Sequence, residues 1–272
     1  MDGIIYYNEG TKLLARLVVS LHSLQKHYTG PITLISVGKE SNEYAYKIAW
    51  EFGIDLQAID KTDLIDGKHK CFLEKARIHT YSPYDRTIFL DSDTITLKPF
   101  PELFNKIDKT GFIVPQFSTW TTQTGVIKKR LKEWNIFYPE DVENTIKSNA
   151  PSVNVGVFGF NKDSELMKLW FDYTKVNRLA SLPEEISCHL LLSKGLGEVI
   201  ESKYNYSCKY DNSLEKVIVH YHGRKHCRID NGKLLYNGDL WVKEWEDAGN
   251  RAGVKDWGLN IGDKQLKRFL KR

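Results

Sequence analysis

The chain has 272 residues, of which 41% are hydrophobic, 12% aromatic and 27% charged. This composition supports a buried core and excludes disordered, collagen-like and low-complexity proteins. The formal net charge of +4 is too small to predict a nucleic-acid partner. No apolar run approaches the roughly 18 residues of a membrane-spanning helix. The four cysteines are far apart and form no CxxC pair, which predicts reduced thiols and a cytoplasmic protein.

Apolar runs alternate with helical repeats in the first part of the chain. Strands are predicted at residues 3–7, 32–37 and 54–59, and helices at 13–28 and 44–52. Strands that alternate with helices form parallel sheets with both faces covered. We therefore expect an α/β fold with a mostly parallel, Rossmann-like central sheet flanked by helices.

The rest of the chain continues this pattern less regularly. Helices are predicted at residues 72–81, 165–174 and 184–192, and strands at 87–90, 153–160 and 217–220. Residues 112–150 are expected to form strands or loops and a helix that flank a binding cleft. Neither an internal repeat nor a flexible linker is present, so a single domain is expected.

Two carboxylates follow the apolar strand predicted at residues 87–90. They belong to Asp91 and Asp93, which are separated by Ser92. Open α/β sheets bind ligands at the carboxyl ends of their strands. Two aspartates at such a position can bind a hard divalent cation, which in turn can hold a diphosphate. The alternative is a solvated acidic turn.

A histidine and a basic turn follow the last predicted strand. His220 could complete a metal site, and Gly223 with Lys225 and His226 could approach phosphate oxygens closely. The alternative is a structural histidine beside a solvated basic turn. A zinc site is also conceivable, although its spacing matches no usual template. Its ligands would come from His220, His222, His226, Cys208 and Cys227.

Three polar residues in the second half of the chain are further candidates. Asn154 stands beside small residues, so a bulky ligand could approach the backbone there; the alternative is a plain core strand. Glu184 and Glu185 begin a predicted helix, where carboxylates stabilise the positive end of the helix dipole. A catalytic or hydroxyl-binding role for the two glutamates is the alternative to this stabilising one.

Residues near the first strand and the third predicted helix could contact a nucleotide. Tyr6 and Asn8 could stack on and hydrogen-bond a nucleobase, or they could simply pack. Lys75 and Arg77 could offset phosphate charge, or they could form a solvated helix face. The glycine fingerprint of dinucleotide binding and the Walker loop are both absent, which argues against a dehydrogenase or a P-loop enzyme.

Taken in chain order, these segments resemble family 8 of the GT-A fold glycosyltransferases, which includes glycogenin and bacterial lipopolysaccharide galactosyl- and glucosyltransferases. The resemblance rests on four motifs, at residues 89–94, 97–104, 154–158 and 220–223. It implies transfer of a hexose from a nucleotide-diphosphate sugar, UDP-glucose or UDP-galactose, to an acceptor hydroxyl. It also implies retention of the anomeric configuration.

The same resemblance assigns the site. Asp91 and Asp93 would bind Mn²⁺ or Mg²⁺, with His220 as the third protein ligand. The residues expected to contact the donor are Tyr6, Asn8, Lys75, Arg77, Ser92, Gly223, Lys225 and His226.

The reacting face of the sugar is the remaining part of that assignment. Asn154 would face the donor sugar or the acceptor. Glu184 and Glu185 fall near the family's Asp-Gln pair beside the anomeric carbon, and here both positions are glutamate. In the family's Asn-Ser-Gly motif this chain has Asn154-Val155-Gly156.

The resemblance also predicts how the chain is organised. Residues 1–110 would form a nucleotide-binding half, 111–240 an acceptor-binding and metal-completing half, and 241–272 a basic tail with tryptophans. This tail could lie on an acidic membrane surface near a lipid-linked acceptor, or it could be an amphipathic helix packed on the domain. The expected partners are a nucleotide-sugar donor and a glycan, glycolipid or protein acceptor, without nucleic acid.

Three other functions remain open at this point. An inverting GT-A transferase and a sugar nucleotidyltransferase would use the same kind of metal site. A carbohydrate- or nucleotide-binding module without turnover would use Trp241, Trp245 and Trp257 as exposed stacking surfaces.

Overall fold

A computed structural model describes residues 1–61, 70–209, 215–223, 229–230, 233–252, 257 and 259. Its contacts divide the chain into two compact units that alternate along the sequence. Unit 1 comprises Met1–Gly3, Asp63–Phe89 and Pro101–Ser202, and unit 2 comprises Ile4–Thr62, Leu90–Phe100 and Lys203–Arg272. The boundaries of these units differ from the positions 110 and 240 that divide the predicted functional parts. The division into nucleotide-binding, acceptor-binding and tail parts stays a prediction.

Unit 2 begins with an alternation of strands and helices. Its elements are β1 (Asp2–Glu9, in this unit from Ile4), α1 (Leu14–Gln25), β2 (Ile32–Val37), α2 (Lys39–Phe52) and β3 (Asp55–Ile59). The middle strand, β2, pairs in parallel with both β1 and β3. This confirms the predicted alternation. Helix α2 begins before residue 44, where its start was predicted. The prediction missed the first turn because that turn is polar and shows no apolar period.

A second, smaller sheet of unit 2 brings distant parts of the sequence together. It consists of β5 (Thr94–Thr96), β10 (Tyr206–Ser207) and β11 (Ile218–His220). Strand β11 lies antiparallel to β5, with His220 opposite Thr94, and parallel to β10. The pairing places His220 beside the segment that follows β4 (Arg86–Leu90).

Unit 1 contains most of the helices. Its elements after β4 are α4 (Glu102–Thr110), β6 (Phe112–Thr121), α5 (Gly125–Lys132), α6 (Pro139–Ser148), β7 (Pro151–Val153), β8 (Val157–Asn161), α7 (Glu165–Val176), α8 (Pro183–Leu192) and β9 (Glu198–Ile200). Helix α3 (Lys70–Ala76) precedes β4 and is followed by a 3₁₀ turn at Ile78–Thr80. Strand β6 pairs antiparallel with β7 and β8 and parallel with β9. The predicted α/β class is confirmed, with antiparallel pairs added in this unit.

The core of unit 1 is aromatic where its strands meet α7. The ring of Phe158 stacks on Phe89 and Phe112 at 4.8 and 5.8 Å between centroids, and it meets Trp170 edge-on at 5.2 Å. All four side chains are buried. Such pairs contribute about 0.5–1.5 kcal/mol each beyond the area that they bury. They fix α7 against the sheet, and α7 in turn packs on α8.

Two stretches of unit 1 differ from the prediction. Residues 112–150 are more regular than expected, because β6, α5 and α6 fill them; α6 starts at Pro139, a residue suited to a first helical turn. The single strand predicted at 153–160 is in fact two strands, β7 and β8. The backbone N–H of Gly156 donates to Oδ1 of Asn154 at 3.1 Å, and this local turn interrupts the strand.

The last long helix is α9 (Gly238–Ala252), which packs on α1 within unit 2. Trp241 and Trp245 are buried and stack on each other at 6.0 Å, so the prediction that they form an exposed stacking surface is wrong. They lie on the apolar face of an amphipathic helix, which is the face expected to be buried. Trp257 is half-buried, and the basic residues at 264–272 lie outside the described part of the chain.

Crossing a bilayer requires a long apolar helix. Among the residues whose positions are described, no helix combines the necessary length with the necessary apolarity. The cytoplasmic location and the membrane contact of the tail stay predictions.

Candidate functional site

The structure brings together the three predicted metal ligands. Asp91 and Asp93 leave the end of β4, whose apolar residues are buried, while His220 ends β11. One ligand atom from each of the three residues lies within 4.8 Å of the other two. Nε2 of His220 is 3.0 Å from Oδ1 of Asp93 and 3.8 Å from Oδ2 of Asp91. Elsewhere in the described residues, no other such group of aspartate, glutamate, histidine and cysteine occurs.

The hydrogen bond between His220 and Asn205 suits a cation ligand. Its Nδ1 lies 3.0 Å from Oδ1 of Asn205, an oxygen that can only accept a hydrogen bond. In the neutral ring the proton therefore resides on Nδ1, and the lone pair of Nε2 points at the two carboxylates. A divalent cation at this point would accept the lone pair and offset the two negative charges. The donor set of two carboxylates and one imidazole therefore fits a divalent cation such as Mn²⁺ or Mg²⁺.

Hydrogen bonds hold the acidic segment in place. The backbone N–H of Tyr221 donates to the carbonyl oxygen of Asp93 at 2.8 Å, and the hydroxyl of Thr94 donates to the carbonyl oxygen of Asp91 at 2.9 Å. Ser20 on α1 lies 2.9 Å from the Thr94 hydroxyl and 2.9 Å from the hydroxyl of Tyr6. The positions of both aspartates are thus fixed through β5, β11 and α1.

Tyr6 and Asn8 are placed in the interior of unit 2. Tyr6 is fully buried, and its burial raises the pKa of the phenol well above its usual range. Asn8 is 1% exposed and donates to Ser41 Oγ and to the Gly10 carbonyl at 2.8 Å each. Its Oδ1 has no hydrogen-bond partner within the described residues. Both side chains are thus packed within unit 2, and their contact with a nucleobase stays a prediction.

The residues predicted beside the diphosphate are only partly described. Ser92 is buried, and its hydroxyl has no hydrogen-bond partner among the residues that the structure describes. Gly223 has a φ of 67°, in the left-handed region that favours glycine. Lys225 and His226 lie outside the described residues.

The zinc alternative receives no support from the described residues. His222 Nε2 lies 2.7 Å from Ser207 Oγ, and neither His222 nor Cys208 joins a cluster of metal ligands. His226 and Cys227 lie outside the described part of the chain.

In unit 1 the structure brings together Asn154 and Glu185. The carboxamide of Asn154 donates to Oε2 of Glu185 at 3.0 Å, and Oε1 of Glu185 lies 3.6 Å from Nη1 of Arg130. The Glu185 side chain is only 7% exposed. Burying a carboxylate requires paired charge and hydrogen bonds, which Arg130 and Asn154 supply.

The start of α8, which carries the two glutamates, is anchored by Trp170. Its indole N–H lies 2.8 Å from the carbonyl oxygen of Glu184 and 3.1 Å from the hydroxyl of Ser187, both of which can accept it. Glu184 is 3% exposed. Burial raises the pKa of the Cys188 thiol, and the nearby charges of Glu185 and Glu184 raise it further. This helix start is therefore buried, which the sequence pattern did not predict.

Lys75 and Arg77 have different surroundings. Nζ of Lys75 is 3.4 Å from the carbonyl oxygen of Val155 and 5.2 Å from the centroid of the Phe89 ring. Arg77 forms an ion pair with Glu74 at 2.9 Å, and the Glu74 side chain is fully buried. Arg77 therefore offsets the charge of a buried carboxylate of its own chain rather than forming a solvated helix face.

Three solved structures resemble this chain, and all are named as glycosyltransferases. The galactosyltransferase LgtC, in complex with donor and acceptor sugar analogs, shares 10% identity at a TM-score of 0.63, over 99% of this chain and 100% of its own. GlyE from Streptococcus pneumoniae shares 14% identity at 0.62, over 93% of this chain and 63% of its own. Mouse xyloside xylosyltransferase 1 shares 16% identity at 0.58, over 82% of this chain and 99% of its own.

The chain has the GT-A fold. The family 8 resemblance seen in the sequence is thus supported by LgtC and GlyE at the level of the fold. No family model matches the sequence, and no curated protein matches it either. At identities this low, the similarity establishes the fold but not the activity, which depends on the residues of the site.

Sequence reasoning missed three residues that contact the predicted ones. Arg16 lies 3.5 Å from Asp93, Asn205 accepts from His220, and Arg130 faces Glu185. Of the three, only Arg16 could be recognised from the sequence, because it is the one charged residue in the apolar segment at residues 13–19 of the first predicted helix. Asn205 and Arg130 stand in polar stretches, where nothing distinguishes them from solvated residues.

Proposed function

We propose that the protein is a metal-dependent glycosyltransferase that moves a hexose from a nucleoside-diphosphate sugar to an acceptor hydroxyl. The observation that carries the proposal is the grouping of Asp91, Asp93 and His220 at the end of a buried strand in a GT-A fold. The family resemblance adds UDP-glucose or UDP-galactose as the donor and retention of configuration. It also adds a glycan, glycolipid or protein as the acceptor.

The three ligands have separate tasks in this proposal. Asp91 and Asp93 contribute negative charge, and His220 contributes the lone pair of Nε2 while Asn205 holds the ring from the other side. When bound, a divalent cation supplies Lewis-acid stabilisation of the charge that develops on the departing diphosphate. Such electrostatic stabilisation is usually the largest single contribution to catalysis.

A second set of residues is proposed to contact the sugar and the rest of the donor. By the family pattern, Asn154 and Glu185 contact the transferred hexose or the acceptor, and Lys75 contacts the donor. The hydrogen bond between Asn154 and Glu185 keeps both groups in fixed orientations, which is what positioning a hydroxyl requires. Lys225 and His226, which follow Gly223 in the sequence, are the proposed phosphate contacts.

The test is nucleoside-diphosphate release from a panel of UDP- and GDP-hexoses, with Mn²⁺, with Mg²⁺ or with EDTA. We expect release that requires the cation, together with a rise in melting temperature when donor and cation are both present. Asp91→Asn and Asp93→Asn should each lower release about 100-fold, the usual effect of removing one electrostatic stabiliser. Asp172→Asn is the matched control, because Asp172 is exposed and forms a local ion pair with Lys175.

The products of that assay separate the other functions. Cation-independent release, or equal release by the aspartate variants and the control, would contradict the proposal. Pyrophosphate instead of a nucleoside diphosphate would identify a nucleotidyltransferase, and an inverted product would identify an inverting transferase. Binding of the donor without any release would identify a binding module.

A further inference from the structure

Arg16 is placed at an energetically unfavourable position. It is the third residue of α1, a helix whose first turn contains no acidic residue and has no side-chain cap. The first turn is the positive end of the helix dipole, so a cation there is destabilising. The side chain is also only 9% exposed, and burying a charge is costly unless it is paired.

The guanidinium of Arg16 faces the Asp93 carboxylate. Nη1 lies 3.5 Å from Oδ2 of Asp93, while Oδ1 of the same carboxylate lies 3.0 Å from Nε2 of His220. The two oxygens of Asp93 therefore have different neighbours. Oδ1 is turned to the ligand group and Oδ2 to a permanent positive charge.

This arrangement changes the charge that a cation meets. Asp91 and Asp93 contribute two negative charges and Arg16 one positive charge, which leaves a net charge of −1 on the group when His220 is neutral. A divalent cation would turn this into +1. The diphosphate of a nucleotide would then be the group that restores a negative balance. Without the charge of Arg16, the two aspartates would bind the cation without the aid of a nucleotide.

We propose that Arg16 is a positioning residue that makes cation binding depend on the nucleoside diphosphate. It holds Asp93 so that only Oδ1 faces the cation, and its charge keeps the affinity of the nucleotide-free protein for the cation low. The nucleotide and the cation then bind cooperatively. This inference rests on the proposed function, because it assumes that the group of Asp91, Asp93 and His220 binds a divalent cation.

The experiment measures the Kd of Mn²⁺ by electron paramagnetic resonance titration, with and without saturating UDP. In the wild type, UDP should tighten Mn²⁺ binding about tenfold or more, within the usual range of coupling between sites. Arg16→Met should bind Mn²⁺ about tenfold more tightly than the wild type without UDP, and its gain on adding UDP should shrink by a similar factor. Because coupling is reciprocal, Mn²⁺ should tighten UDP binding by the same factor in each protein.

Companion variants separate this role from a structural one. Arg16→Lys keeps the charge and should stay within about threefold of the wild type in the Mn²⁺ Kd without UDP. Arg16→Gln removes the charge with less change of shape, so it should repeat the effect of Arg16→Met and serves if that variant does not fold. Arg86→Met is the matched control: Arg86 pairs with Asp2 and Asp108 in unit 1, so its loss should lower stability without changing either Kd.

Two results would overturn the inference in different ways. If Asp93→Asn abolishes Mn²⁺ binding but the neutral Arg16 variants bind Mn²⁺ no more tightly than the wild type, Arg16 has only a structural role and the proposed function stands. If the wild type shows no Mn²⁺ binding that depends on Asp93, the inference and the proposed metal dependence both fail.

Discussion

Nδ1 of His220 lies 3.0 Å from Oδ1 of Asn205, and both side chains are buried. This contact fixes which nitrogen of the ring carries the proton and which way the ring faces. Partners of this kind, one step removed from a metal, control the affinity of a site almost as strongly as the ligands do. Asn205 is therefore the residue whose replacement tests the orientation of the ring without touching a ligand.

Replacing Asn205 should weaken cation binding. Asn205→Leu removes the acceptor, so the His220 ring loses its orientation, and we expect the Mn²⁺ Kd to rise about 10- to 100-fold. Asn205→Asp keeps an acceptor at the same place and should bind Mn²⁺ at least as tightly as the wild type. Calorimetric titration of the folded proteins measures both. An unchanged Kd in Asn205→Leu would show that the hydrogen bond does not serve the ligand group.

Glu185 should matter for turnover through its hydrogen bond more than through its charge. Glu185→Ala leaves Asn154 without its acceptor, and we expect the rate to fall about 100-fold or more, the scale of losing one positioned polar group. Glu185→Gln keeps an acceptor oxygen, and the related family has glutamine nearby, so its rate should stay within about tenfold of the wild type. The assay is nucleoside-diphosphate release at saturating donor.

The control for this prediction is Glu143→Ala, because Glu143 is exposed and forms a local ion pair with Lys147. Equal losses in Glu185→Ala and Glu185→Gln would show that the negative charge itself is needed. A rate in Glu185→Ala that matches the control would remove Glu185 from the proposed site.

His189 should make the protein less stable in mild acid. Burial lowers the pKa of His189 to about 4, and its Nε2 accepts a hydrogen bond from the backbone N–H of Val153 at 3.4 Å. Between pH 6.5 and 4 the unfolded chain binds a proton at this ring that the folded protein excludes, so stability rises with pH in this window. At pH 5 the cost is about 2 kcal/mol.

Urea unfolding of the wild type and of His189→Gln checks this expectation. The glutamine oxygen can accept the same hydrogen bond but does not titrate. The free energy of unfolding of the wild type should fall by about 2 kcal/mol more than that of the variant between pH 7.5 and 5. Parallel pH dependence in the two proteins would exclude His189 as the source.

The sequence predicted the elements that have a clear period and the ligands that follow a clear strand. Asp91 and Asp93 could be found because the apolar run before them is short and ends abruptly. His220 could be joined to them only through the family resemblance, because strand spacing does not reveal that β11 pairs with β5. The break at Asn154 was missed because its neighbours are all apolar or small and read as one strand.

Other features of the structure could not be predicted, for a common physical reason. Whether Tyr6 faces a ligand or the core depends on where α1 packs, and no local pattern contains that information. Arg16 lies within the helix predicted at residues 13–28, and a buried arginine in such a place needs a partner. That partner, Asp93, is 77 positions away. The burial of Trp241 and Trp245 likewise depends on the contact of α9 with α1.

The pairing of β5 with β11 has a consequence for how the protein matures. During synthesis the two aspartates leave the ribosome well before His220, which follows Asp93 by 127 positions. The nascent chain therefore has no complete ligand set until the two strands have met. Under the proposed function, capture of the cation in the cell is therefore a late event, because the ligand set exists only in chains whose unit 2 has already folded.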